Sequence, residues 1–167
     1  KPQISVHRDE QTPSGLLTRT TIGTVSADWI PLIHSFPATE NYVVIPQYPV
    51  KMEIMKSMES RDVMDGIEWM GDKQPTLIHV FDINSNKSSK PLKTFQTDAF
   101  FSLHQINAFE SVSPNGSKVI HFDCIGYDDG FIMTNKQSVG NLQLMRDPSC
   151  CGNVTGDMKL RHYELDM

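Results

Sequence analysis

Apolar residues alternate with polar ones over short runs in this chain, and residues that favour turns separate the runs. Leu16 to Val25 is rich in threonine and β-branched residues, which suit a pleated surface. Trp29 to Phe36 and Asn41 to Tyr48 predict a second pair of strands around Pro37-Ala38-Thr39-Glu40, and Thr76 to Ile83 and Ala99 to Glu110 predict two more. Ser113-Pro114-Asn115-Gly116 is a strong turn signal ahead of Lys118 to Tyr127. Asp128-Asp129-Gly130 leads in the same way to Phe131 to Thr134, and a last strand is expected over Lys159 to Leu165. This succession of hairpins predicts an all-β fold: a sandwich, a barrel or a propeller. No repeat of fixed period selects among the three.

One stretch departs from the pattern. Between Lys51 and Met70, the apolar residues Met52, Ile54, Met55, Met58, Val63, Met64, Ile67 and Met70 fall partly at helical spacing, without the β-branched bias of their neighbours. A short helical or irregular insertion near 51–70 is predicted. Its flexible methionines suit either gap-filling against a sheet or a face that dips into a membrane surface. Lys51 and Lys56 would favour an anionic surface; Glu53, Glu59 and Asp62 would oppose it. The polar stretch 84–91 and the segment 147–156, with its proline and two glycines, read as loops.

Composition narrows the partners. The net charge is −5 with both signs interspersed, which excludes the clustered basic surface that nucleic acid requires. No apolar run approaches the roughly 20 residues that span a bilayer. Three cysteines, two of them the adjacent Cys150 and Cys151, form no spaced framework and read as reduced thiols, which gives an expectation of a cytoplasmic protein. The triplets beginning at Asn86, Asn115 and Asn153 would matter only in a secreted protein. Lys1 in place of a methionine, and a strand that runs up to Met167, lead to the expectation of one internal piece of a larger domain, 1–167.

The chemistry lies in the histidines. A neutral imidazole binds a metal through one nitrogen while an acceptor holds the other. His7 lies in a polar opening, and His79, His121 and His162 alternate with apolar neighbours as ordinary strand residues do. His34 and His104 are flanked by aromatics and followed by polar residues that suit turns, which by itself separates them only slightly from the rest.

His34-Ser35-Phe36 followed by Thr39-Glu40-Asn41-Tyr42, and His104-Gln105-Ile106-Asn107-Ala108-Phe109-Glu110, occur in the order and at a separation that resemble two iron-ligand motifs of the carotenoid cleavage oxygenases. Gln47-Tyr48-Pro49-Val50-Lys51, Phe122-Asp123-Cys124 and Arg161-His162-Tyr163-Glu164-Leu165 agree as well, so the resemblance covers roughly residues 14–167. It implies a seven-bladed β-propeller, of which this chain would supply about two to three blades, with Fe(2+) on the axis held by four histidines. Of these His34 and His104 are present, and the remaining ligands and the glutamates that hold them are expected outside the chain. The resemblance further implies cleavage of a conjugated double bond of a carotenoid or apocarotenoid by dioxygen to aldehyde or ketone products. No catalytic residue beyond the metal ligands is expected, and the piece alone is expected to be inactive.

Asn107 and Glu110 are assigned to bracing the strand end that carries His104, and Phe36, Tyr42 and Phe109 to the core. Members of the family dock on membranes through apolar segments, which makes Trp29, Met52, Ile54, Met55 and Met58 candidate contacts for a peripheral membrane association. Two residues depart from the family pattern. Pro37 stands where glycine is usual and excludes a turn with positive φ, and Leu103 stands where phenylalanine usually lines the substrate tunnel. Two other readings are a retinoid isomerohydrolase of the same family and a metal-free propeller that acts as an interaction scaffold.

Overall fold

The computed structural model describes residues 1–84, 90–130 and 158–167. Among these, the chain forms β1 Gln3–Gln11, β2 Leu17–Ser26, β3 Tyr42–Gln47, β4 Val50–Met52, helix α1 Ile54–Ser60, a 3-10 turn Val63–Gly66, β5 Ile67–Trp69, β6 Thr76–Asp82, β7 Lys93–Thr97, β8 Gln105–Val112, β9 Lys118–Tyr127 and β10 Met158–Asp166. All pairings are antiparallel: β1 with β2, β4 with β5, and two three-stranded sheets in the orders β3-β6-β7 and β10-β9-β8.

The sheets stack as layers. The middle sheet turns Val44, Ile78 and Val80 toward Ile120, Phe122, Cys124 and Leu165 of the β8–β10 sheet, with Tyr48, Phe100 and Phe101 filling the space between. Its other face carries Val43, Ile45 and Phe81 onto Val6 and Ile22 of the β1–β2 hairpin. Burial on both faces explains why every residue of β3 is inaccessible, and each large apolar side chain so covered is worth about 1.5–3 kcal/mol. Among these groups Cys124 is a packing residue: burial pushes its thiol up to about 11, away from the reactive thiolate.

Two predicted strands are corrected. The segment expected to be a strand from Trp29 to Phe36 runs without a ladder and makes only the single bridge of Pro31 to Lys51, because Pro31 and Pro37 lack the N–H groups that a ladder needs. The strand expected from Ala99 begins only at Gln105. Phe101 makes only an isolated bridge to Tyr127, and the Phe100 N–H and carbonyl bond to the Thr76 hydroxyl, each at 3.1 Å, where a ladder would bond them to a neighbouring backbone. Strands β1 and β7 were not expected, since their sequences are mostly polar and exposed. The strand predicted at 131–134 and the loop at 147–156 lie outside the described residues.

The insertion near 51–70 takes the form of an excursion from a short hairpin. Val50, Lys51 and Met52 pair with Trp69, Glu68 and Ile67, and the chain between them forms α1 and the 3-10 turn. Gly66 is required there, because a Cβ would lie 2.6 Å from the Glu53 carbonyl, whose own residue donates its N–H to Gly66 O at 2.7 Å.

His79 is buried on β6 with both ring nitrogens paired, Nδ1 with Thr94 Oγ1 at 3.0 Å and Nε2 with Gln47 Oε1 at 3.1 Å. Burial lowers its pKa to about 4. Below pH 6.5 the unfolded chain therefore takes up a proton that the folded chain refuses, and stability falls by up to about 3 kcal/mol as pH drops from 6.5 toward 4. Urea unfolding of His79→Gln across that range is expected to lose this part of the acid dependence; an unchanged slope would contradict the assignment.

Candidate metal centre

The segment that carries His34 is laid along β4 by two backbone bonds, Met52 N–H to Ile30 O at 2.8 Å and Leu32 N–H to Val50 O at 3.1 Å. It then meets the loop that precedes β8. The Leu103 carbonyl accepts from Ser35 Oγ at 2.6 Å and lies 3.1 Å from His34 Nδ1. A carbonyl only accepts, so Nδ1 carries the ring proton and Nε2 keeps the lone pair that a metal would use.

His104 follows immediately in the chain. Its carbonyl accepts from Ser102 Oγ at 3.1 Å and from the Ile125 N–H at 3.3 Å, and Gln105 Nε2 donates to the Tyr48 hydroxyl at 3.2 Å. The imidazoles of His34 and His104 lie with centroids 5.2 Å apart and planes at 90°. Two imidazoles on one ion, with bonds of about 2.1 Å and a ligand angle of about 90–110°, would hold their centroids roughly 4.5–5.5 Å apart. The pair fits that requirement, and as neutral nitrogen donors these residues suit iron.

A second tie lies behind the pair. Glu110 on β8 accepts from Thr39 Oγ1 at 2.6 Å, from the Asn41 N–H at 2.9 Å and from Asn41 Nδ2 at 3.0 Å. Burial pushes the Glu110 carboxyl up, but these bonds and nearby Lys118 outweigh it and hold the group below its usual range. Asn107 is exposed opposite Asp123, next to a register shift in β8, and its side chain makes no hydrogen bond among the described residues. The turn after His34 closes with proline in place: Pro37 is buried, its carbonyl accepts from the Val44 N–H at 3.0 Å, and Thr39 N–H donates to Tyr42 O at 2.8 Å. Leu103 packs on the main core.

Of the three aromatics expected in the core, Tyr42 is buried, whereas Phe36 and Phe109 are exposed. Ile54, Met55 and Met58 project from α1 into solvent, while Met52 and Trp29 are half-buried. Sequence reasoning missed Ser35 and the Leu103 carbonyl as the link between the two motifs, because a backbone acceptor leaves no mark in the sequence.

Residues 3–167 match the family model described as retinal pigment epithelial membrane protein. The β,β-carotene 15,15'-dioxygenase of Rattus norvegicus is 35% identical over 102 residues, 58% of this chain and 16% of that protein. The chloroplastic carotenoid cleavage dioxygenase 8 of Arabidopsis thaliana is 31% identical over 131 residues, 74% of this chain and 22% of that protein. The chain thus spans about a fifth or less of these relatives. Among solved structures, cobalt-substituted Synechocystis ACO aligns with 98% of this chain and 30% of its own, at a TM-score of 0.61 and 19% identity. A D477G ACO/RPE65 chimera aligns with 75% of this chain and 24% of its own, at a TM-score of 0.57 and 23% identity. At these identities the likeness is one of fold, and the stacked sheets are part of a β-propeller. Because residues 3–167, nearly the whole of this chain, match the family model, the chain belongs to the retinal pigment epithelial membrane protein family, the carotenoid cleavage oxygenases.

Proposed function

We propose that this chain supplies two of the iron-binding histidines, His34 and His104, of a dioxygenase that splits a conjugated double bond of a carotenoid or apocarotenoid. The observation that carries the reading is the pair of imidazoles at 5.2 Å, one of them oriented by the Leu103 carbonyl. Dioxygenases of carotenoids among the relatives support the substrate class. When bound, Fe(2+) would supply the centre that activates dioxygen, and both oxygen atoms would end in the two carbonyl products. The protein's own residues do the rest. His34 and Ser35 share one acceptor, which fixes the ring plane, and Glu110 joins the turn after His34 to the strand after His104 so that the two imidazoles keep their separation.

We further propose that the polyene reaches the protein from a lipid surface through the insertion. Met55 and Met58 are 67% and 68% exposed, and Ile54 and Val63 are exposed beside them. Lys51 is paired with Glu53 and Glu68, so contact would rest on apolar burial more than on attraction to anionic lipid.

Three outcomes test these readings in the intact protein. His34→Ala and His104→Ala are each expected to lose bound iron, and product analysis under labelled dioxygen should find label in both carbonyl fragments. Iron retained at full stoichiometry, or unlabelled alcohol, would contradict them. Glu110→Ala is expected to cost about 1–3 kcal/mol in urea unfolding by stranding the Thr39 and Asn41 donors and to weaken iron retention; unchanged stability and iron content would remove its bracing role. The double substitution Met55→Glu and Met58→Glu is expected to reduce sedimentation with phosphatidylcholine vesicles at least about tenfold, and equal binding would exclude the insertion as the contact.

A further inference from the structure

A second group of histidines stands on the face of the β8–β10 sheet that points away from the main core. His121 on β9 lies opposite Glu164 on β10, and His162 lies opposite Asp123. Strand alternation therefore puts all four side chains on one face. His121 Nδ1 is 3.4 Å from His162 Nε2, and one Glu164 carboxylate oxygen lies 3.7 Å from the first and 3.5 Å from the second. These are the ligand atoms of the one three-membered cluster of possible metal donors among the described residues.

The outer nitrogen of each ring is already taken. His162 Nδ1 lies 2.7 Å from Asp123 Oδ1, a carboxylate that only accepts, so Nδ1 carries the proton and Nε2 presents a lone pair. His121 Nε2 lies 2.7 Å from Ser111 Oγ, and with Nε2–H donating there Nδ1 presents the second lone pair. Phe109 stacks on the His121 ring at 4.5 Å and 5°, which fixes its plane. Two imidazoles and a carboxylate thus turn lone pairs toward one point, each ring held from behind by a hydrogen-bond partner as metal-bound histidines are.

The spacing separates a metal from a shared proton. A proton bridging two groups draws its heavy atoms to about 2.7–3.2 Å, and none of the three separations is that short. Ligands bound tetrahedrally at about 2.0–2.1 Å stand about 3.4 Å apart, close to the observed triangle of 3.4, 3.5 and 3.7 Å. The carboxylates of Asp123 and Glu164 lie 2.7 and 3.5 Å from the two nitrogens of His162, so the place is lined by negative charge.

We propose that His121, His162 and Glu164 form a binding site for a divalent late first-row transition metal, with zinc as the reference ion and Asp123 as a positioning residue. Two nitrogens and one carboxylate oxygen leave a fourth position of a tetrahedral ion for water or another ligand. His121 is 13% exposed and Glu164 65%, so the site is reached from solvent along the Glu164 side. It is distinct from the His34–His104 pair. Five residues of chain, on the order of 15 Å of strand, separate His104 from Phe109, which stacks on His121.

The test is zinc binding by the intact protein in the background of His34→Ala and His104→Ala, stripped with chelator and retitrated with zinc alone. One zinc per chain is expected to remain, to be lost on adding His162→Ala, and to bind about 10–100-fold more weakly in Asp123→Asn. Equal stoichiometry and affinity with and without His162→Ala would overturn the proposal. Should His162→Ala fail to fold by circular dichroism, Glu164→Gln, which alters only an exposed side chain, carries the comparison through cobalt(II) absorption. Intense visible bands in the parent that weaken in Glu164→Gln support the site, and bands that are absent or unchanged refute it.

Discussion

One backbone oxygen organises the candidate centre. The Leu103 carbonyl receives the Ser35 hydroxyl and the His34 ring, which stand 68 and 69 residues away in sequence, and it belongs to the residue that directly precedes His104. Whatever fixes Leu103 therefore fixes the His34 ring and the backbone that carries His104. Leu103 packs on the main core, and the carbonyl of the next residue is held by Ser102 and Ile125. The geometry of the pair is thus inherited from the best-packed part of the molecule. The Glu110 carboxylate repeats the tie one layer further out, joining the turn after His34 to the strand after His104.

The stacked sheets explain why such a tie is available. With the β3–β6–β7 sheet covered on both faces, its neighbours are held at a fixed spacing, and irregular segments at the sheet ends are brought together. His34 and His104 both sit on such segments and not within ladders, where a ring would be committed to one face of a sheet. The same layering leaves the outer face of β8–β10 uncovered among the described residues, and this is where His121, His162 and Glu164 meet. One sheet thus presents histidines in two settings, at its end and across its face.

Much of the fold was legible because alternation and turn chemistry are local. β2, β6 and β9 follow from their β-branched runs, and the insertion from its methionine spacing. β1 and β7 were not legible because they gain little from their own apolar content; their pairing partners decide them. The segment 29–36 read as a strand on hydrophobicity alone, and its prolines mattered more. At the site, the two histidine motifs were recognised through their resemblance to a family, since lone histidines in strand-like sequence look alike. Glu110 could be singled out from its motif, but its partners Thr39 and Asn41 required the tertiary fold. His121 and His162 were passed over as strand residues because their convergence depends on the β9–β10 register, which no local pattern encodes.

The central claim is that His34 and His104 serve one metal ion. Anomalous diffraction at the iron absorption edge, from crystals of the intact protein, tests it most directly. A single iron peak within coordinating distance of Nε2 of His34 and of a ring nitrogen of His104, with His34 Nδ1 still on the Leu103 carbonyl, is the predicted result. An iron peak that neither imidazole reaches would contradict it.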